Sequence, residues 1–230
     1  CNGEIYNFKD LIIKFNLKVN SECDCEILLH LYVKLGINEM INQLDGVFSI
    51  IIYEYDTNTN KSTVIALRDR IGVRPMFWGH ENNELGLCSE IKGLVGLFQS
   101  LNVFTPGSYM IYDVNEDKKE FIQYYPYIYN ELDLNIEEYL HISNIKYIFY
   151  KCIEKRIQSD RPVCSLLSGG LDSSLVSAIT SKYIKAKGQK LYTFSIGMDN
   201  CTDNIYAQKV ADYIKSEHTI VNISKEEALN

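Results

Sequence analysis

Between residues 44 and 125 apolar side chains recur with period two, or in short runs bounded by turn residues, over 47–55, 63–67, 75–78, 86–89, 107–112 and 120–125. Side chains alternate between faces along a strand, so these segments are predicted as antiparallel strands with one face on a core. The opening run, 1–6, reads as a further strand. Two helices are predicted to interrupt them, at 24–35 with Ser21 and Asp24 as possible caps, and at 90–97. Strands with segregated helices imply an α+β antiparallel sandwich. Residues 126–139, beginning at Pro126, are rich in Tyr, Asn and acids and lack an apolar period, which reads as a linker. Beyond it, Ile145, Ile148, Phe149, Cys152 and Ile153 have the spacing of an amphipathic helix facing a core. The pattern then alternates: strand 163–167, helix 172–187, strand 191–196, helix 203–215 and strand 218–223. Alternation of this kind predicts an α/β, doubly wound parallel sheet. Two domains are expected, 1–128 and 129–230.

Composition narrows the classes. The chain has 230 residues, 46% hydrophobic and 23% charged, which suits a globular protein. No run approaches the roughly 18 apolar residues of a membrane span, and the first thirty residues lack the order of a secretory signal. Net charge is −7 and the 23 basic residues are dispersed, so neither nucleic acid nor a membrane is an expected partner. The seven cysteines form no CxxC and have no histidine at zinc-finger spacing, which reads as free thiols in a cytoplasmic protein. The chain starts without Met and stops just after a helix-like start, so both ends are expected to be cut.

Chemistry is carried first by Ser168-Gly169-Gly170-Leu171-Asp172-Ser173-Ser174, placed between an apolar strand and a helix. Ligands of open α/β sheets bind at such strand-to-helix turns. Adjacent glycines let backbone N–H groups approach an anion, and the following helix directs its free N–H groups and dipole at the same point. Ser168, Ser173 and Ser174 add hydroxyl donors. Asp172 cannot favour a phosphate directly, so its expected use is to hold Mg2+ against one. The plain alternative is a glycine turn with Asp172 or Ser173 as N-cap. No lysine follows the glycines, which excludes the GxxxxGK[ST] loop.

This string resembles the pyrophosphate loop of N-type ATP pyrophosphatases. The resemblance implies cleavage of ATP between its α and β phosphates and adenylation of a substrate oxygen. The segment Phe194-Ser195-Ile196-Gly197-Met198 is similar to the family stretch whose backbone contacts adenine, which makes Leu167 and Ile196 candidate walls of a base pocket beside Gly197.

Four further strings follow in order: Asn2-Gly3-Glu4-Ile5-Tyr6-Asn7, residues 68–75 (Arg68-Asp69-Arg70 through Pro75), Cys88-Ser89-Glu90-Ile91-Lys92-Gly93-Leu94, and Pro106-Gly107-Ser108-Tyr109. They resemble the glutaminase domain of class II amidotransferases, whose fold is an α-β-β-α sandwich of N-terminal-nucleophile type. With the downstream loop, the whole chain resembles the glutamine-hydrolysing asparagine synthetase family, covering the end of its glutaminase domain and the start of its synthetase domain. The resemblance implies that Asn2 and Gly3 form an oxyanion hole and that Glu4 and Asp24 receive the amide and α-amino ends of glutamine. Gly3 is expected to keep a side chain out of the carbonyl's path, and Asp24 has helix capping beside Ser21 as its plain alternative. Cys1 precedes the motif on the opposite strand face and is not the expected nucleophile, which with its partner arginine is expected upstream. The implied substrates are glutamine, aspartate and ATP, with Mg2+, and a homodimer is the implied assembly. A relative with another acceptor, such as a β-lactam synthetase, and a degenerate non-catalytic relative are the alternatives.

Overall fold

The computed structural model describes residues 1–126, 137–198 and 201–229, in two compact units, 1–131 and 132–230. Most of the predicted linker, and the expected boundary at 128/129, lie outside the described residues.

Unit 1 is antiparallel. Strands β1 (Asn2–Ile5), β2 (Gly46–Asp56), β3 (Lys61–Arg68), β7 (Ser108–Asp113) and β8 (Lys118–Gln123) form a sheet in the order β1-β2-β3-β7-β8. A second sheet has the order β5-β4-β6, from β4 (Phe77–Glu81), β5 (Glu84–Cys88) and β6 (Leu101–Val103). Strand alternation sorts the larger sheet's side chains into two cores. Ile65, Leu67 and Tyr109 join Ile5, Phe48 and Ile50 beneath helices α1 (Phe8–Phe15) and α2 (Ile27–Gln43). Their neighbours Ala66, Met110 and Tyr112 face the other way and pack with Met76, Trp78 and Phe104 against the second sheet. The layers are therefore helix, sheet, sheet. At the far side His80 joins the sheets: its Nε2 lies 2.6 Å from Asp117 Oδ1, which also accepts the Tyr112 hydroxyl at 2.7 Å.

Several expectations need correction. Helix α1 carries Phe8, Leu11, Ile12 and Phe15 at helical spacing, yet it is absent from the sequence reading. Helix α2 starts after a 3-10 turn, Asp24–Glu26, and runs past the expected end at residue 35 because Gly36 (φ 71°, ψ 172°) kinks it without terminating it. The helix expected at 90–97 is only a 3-10 turn, Ile91–Gly93. Gly96 at φ +84° breaks any continuation, and a Cβ on Gly93 would stand 2.7 Å from Cys88 Sγ.

Unit 2 begins with α3 (Glu138–Arg156), followed by β9 (Cys164–Leu166), α4 (Leu171–Ala186), β10 (Tyr192–Gly197), α5 (Thr202–Ile214), β11 (Glu217–Asn222) and α6 (Lys225–Leu229). The three strands are parallel in the order β11-β10-β9. Here too a stripe is corrected in part: its second half packs, with Ile153, Ile157 and the partly buried Phe149 against Ile179 of α4, while Ile145 and Ile148 are 67% and 57% exposed. Along the sheet, Thr193 and Ser195 are buried, and His218 spans them, with Nδ1 2.9 Å from Thr193 Oγ1 and Nε2 3.3 Å from Ser195 Oγ. Burial pushes the His218 imidazole below its ordinary value, so it is held neutral. Among the described residues no helix is long and apolar enough to cross a membrane.

Candidate functional site

In unit 1 the candidate residues lie on and beside β1, the edge strand of the larger sheet. Its register with β2 pairs Asn2 with Ser49, Gly3 with Phe48 and Glu4 with Val47. Phe48 turns both backbone groups toward β3: its N–H reaches Asp69 Oδ2 at 3.2 Å and its carbonyl accepts the Asp69 N–H at 2.8 Å. Gly3 and Phe48 are thus a non-hydrogen-bonded pair, the closer-spaced kind. Two consequences follow. The Gly3 N–H points off the free edge of the sheet, as does that of Ile5 two residues on, which donates to Asp24 Oδ2 at 2.6 Å. A Cβ on Gly3 would also meet Val47 O at 2.1 Å and Phe48 Cα at 2.6 Å. Close strand contact therefore demands glycine here, a reason additional to the expected clearance for a substrate.

Asn2 and Glu4 project to the face opposite Ile5, toward the second sheet. The Asn2 amide donates to Ser89 Oγ at 3.0 Å, just past the end of β5. Ser49, opposite Asn2, donates to the carbonyls of Arg74 and Pro75, both at 3.2 Å. The edge thus presents an amide donor and a backbone N–H on consecutive residues, with the exposed Glu4 carboxylate next along. Asp24 does not cap: Cys23 is the cap residue of the 3-10 turn, which has no side-chain capping bond, whereas Ser21 binds Glu26. Its carboxylate instead anchors β1. Burial, reinforced by the Asp24 carboxylate, pushes the Cys25 thiol up, so it is protonated at neutral pH. Cys1 is exposed and lies just outside the strand.

The string 68–75 proves architectural. Buried Asp69 accepts five backbone N–H groups, from Ile71, Gly72 and Val73 on Oδ1 and from Phe48 and Arg74 on Oδ2. The Arg68 guanidinium donates to the carbonyls of Gly72, Arg74 and Phe104. Together they hold the loop that Ser49 grips behind Asn2. Sequence reasoning gave neither residue a role, nor Ser89, although all three sit inside the strings it singled out.

In unit 2, β9 leads through Leu167 into the glycine loop. Gly170 is the N-cap of α4 and no side chain caps the helix, so neither Asp172 nor Ser173 does so. The first N–H groups of α4 have no intrahelical acceptor and face the loop mouth. Ser168 Oγ and Ser173 Oγ lie 2.9 Å apart across it, Ser174 Oγ is buried with no protein partner, and the Asp172 carboxylate is exposed. Gly169, at φ +79°, fits because a Cβ would strike Ala207 N at 2.5 Å in α5. Phe194 pairs with Leu166, so Ile196 and Gly197 end β10 beside Ser168. Ile196 is 65% exposed there, and a Cβ on Gly197 would meet Cys201 Sγ at 2.5 Å. Leu167 is placed differently from expectation: its side chain is 1% exposed, packed with Ala207 and Ala211, so it is core and only its backbone faces the loop.

An N–H pair on a sheet edge in one unit and an anion-receptive helix start in the other define a two-part protein. Residues 1–124 match the glutamine amidotransferase domain family, and the chain belongs to that family. Residues 144–230 match the asparagine synthase family. The chain is similar to the proteins named asparagine synthetase (glutamine-hydrolyzing) of Gallus gallus (38% identical), Rattus norvegicus (39%) and Homo sapiens (38%), each over 251 residues and 99% of this chain. It spans 44% of the length of those relatives.

Proposed function

We propose that this chain is the part of an asparagine synthetase in which glutamine hydrolysis and ATP activation of aspartate meet, 1–128 belonging to the glutaminase domain and 129–230 opening the synthetase domain. The observation that carries the reading is the free edge of β1. Asn2 Nδ2 and Gly3 N–H are consecutive donors, and Asp24, beside the next outward N–H, is a carboxylate fit for an ammonium group. In this reading the two donors stabilise the oxyanion that forms when the glutamine carboxamide is attacked, while Glu4 receives the amide end and Asp24 the α-amino end. Ser89 and the loop 69–75 fix Asn2, so its donor needs little reorganisation. The helix–sheet–sheet layering of unit 1 accords with an α-β-β-α sandwich, and the parallel sheet of unit 2 with a doubly wound domain.

The α4 loop suits a nucleotide. Its first-turn N–H groups are uncapped, Ser174 Oγ is an orphaned buried hydroxyl, and Gly169 is pressed on α5 so that the loop keeps its shape. Ser168, Gly169, Gly170 and Ser173 would hold the pyrophosphate of ATP, and Ile196 and Gly197, with the Leu167 backbone, would flank the base. Asp172 would hold Mg2+, which when bound offsets phosphate charge. Aspartate oxygen then attacks the α phosphorus, pyrophosphate leaves, and ammonia displaces AMP from the resulting aspartyl-AMP to give asparagine.

The test separates nitrogen sources in the complete enzyme. Asn2→Ala is expected to slow glutamine-dependent synthesis by about a hundredfold or more, the usual value of an oxyanion donor, and to leave synthesis from added ammonia intact. Equal losses with both nitrogen sources would refute the assignment.

A further inference from the structure

Two thiols and a carboxylate converge at the turn that enters α2. Cys23, Asp24 and Cys25 each bring one ligand atom, and these atoms all lie within 4.8 Å of one another. Among the described residues no other group of three His, Cys, Asp or Glu side chains converges as closely. The convergence is local: Cys23 is extended (φ −71°, ψ 122°) and the chain tightens into a 3-10 turn at Asp24, which brings the first and third side chains together. Asp24 Oδ2 is committed to the Ile5 N–H, and a carboxylate has a second oxygen to offer. Cys23 is exposed and Cys25 half-buried, so an ion can enter from solvent.

We propose that Cys23, Asp24 and Cys25 form a binding site for a soft divalent cation of the Zn2+ or Cd2+ type. A tetrahedral ion with thiolate bonds of about 2.3 Å and a carboxylate bond of about 2.1 Å sets its ligand atoms about 3.6–3.8 Å apart. The ligand atoms, all within 4.8 Å of one another, have about 1 Å or less to close to reach that geometry. Three protein ligands leave the fourth position to water, the pattern of an open site. The paired sulfurs select a thiophilic ion over Mg2+ or Ca2+, which require oxygen cages. Both thiols lose their protons to the solvent as the two metal–sulfur bonds form, so binding one ion releases two protons and involves no redox change. The site shares Asp24 with the glutamine reading without depending on it, because binding is measured with no glutamine or ATP present.

The experiment titrates the purified, reduced protein with Cd2+, following thiolate-to-metal charge-transfer absorption and proton release. One saturable ion and about two protons per ion are expected at neutral pH. The double variant Cys23→Ser/Cys25→Ser should weaken that ion more than about a hundredfold, beyond what loss of an outer-shell partner costs. Asp24→Asn should weaken it less, and Cys201→Ser should leave it unchanged. A charge-transfer signal undiminished in the double variant, or displaced by equimolar Mg2+, would overturn the proposal and mark the binding as adventitious. If the double variant fails to fold, the unsubstituted protein still decides: Cd2+ must protect Cys23 and Cys25 from alkylation ahead of the other cysteines, and equal labelling with and without Cd2+ would refute the site.

Discussion

Asp69→Asn preserves size and removes one acceptor position from the residue that organises the loop behind Asn2. The carboxylate takes three N–H groups on Oδ1, at 3.1, 2.6 and 3.0 Å, and two on Oδ2, at 3.2 and 3.0 Å. An asparagine can keep its oxygen toward the set of three only by turning its NH2 onto the N–H groups of Phe48 and Arg74. The buried Phe48 N–H and the half-buried Arg74 N–H then lose their acceptor and face other donors. Each orphaned buried group costs about 1–3 kcal/mol, so the variant should lose about 2–6 kcal/mol. That is a large share of the roughly 5–15 kcal/mol that holds a domain folded. The protein's single tryptophan, Trp78, packs in the inter-sheet core, so its fluorescence follows unfolding of unit 1. With a urea slope of about 2 kcal/mol per molar, the midpoint should fall by about 1–3 M. A fall of less than about 0.5 M would refute the view that Asp69 serves both donor sets at once.

Three other outcomes are expected. Gly3→Ala forces a Cβ onto the Val47 carbonyl, so β1 should separate from β2, with a cost of about 1–3 kcal/mol and faster amide exchange at Glu4; unchanged exchange would contradict the register argument. Asp172→Asn, in the complete enzyme, should abolish pyrophosphate release with either nitrogen source and spare glutaminase activity; normal rates with an unchanged magnesium requirement would refute the metal role. For His218, burial holds the folded-state pKa below the ordinary 6.5. The unfolded chain therefore binds the extra proton first, stability is fully present above pH 6.5, and it is lost as pH falls through the folded value. Asp212 on α5 is the charged group that favours protonation and limits the effect. His218→Gln should flatten this acid-side loss in far-ultraviolet melts, and a slope as steep as that of the parent would exclude His218 as its source.

The sequence was most legible where periodicity and burial coincide. Strand β3 puts Ile65 and Leu67 in one core and Ala66 in the other, and period-two reading alone locates that segment. The α/β alternation of unit 2 was equally open, because each apolar run ends at a Gly or polar turn. Errors arose where backbone freedom overrode side-chain pattern. Apolar spacing at 90–97 suits a helix, but Gly96 at φ +84° prevents it. Site strings were recognisable as strings, while their internal logic was not. Asn2 meets Ser89 across 87 positions, and Asp24 reaches Ile5 across 19, so neither pairing leaves a local signal. Leu167 went astray for a different reason: it continues the alternation of β9, with Leu166 80% exposed and Leu167 buried, so its side chain falls on the face that α5 covers.

Both candidate sites rest on one physical device, a donor left unpaired beside neighbours that are fully bonded. On β1, Asn2 and Glu4 turn their backbone groups inward to β2, and Ile5 gives its N–H to Asp24, which isolates the Gly3 N–H at an edge that cannot shift. At α4, the Ser174 N–H already closes the first helical bond onto the Gly170 carbonyl at 3.0 Å, and Gly169 is wedged on α5, which isolates the earlier N–H groups of the turn. A donor on a mobile loop would spend binding energy on becoming ordered. Here that ordering is supplied during folding, by Gly3 against Val47 and by Gly169 against Ala207. Substituting either glycine should therefore weaken ligand recognition by displacing donors that the side chain never touches, which distinguishes these positions from Gly170, where a Cβ would approach nothing nearer than Ser168 Oγ at 3.5 Å.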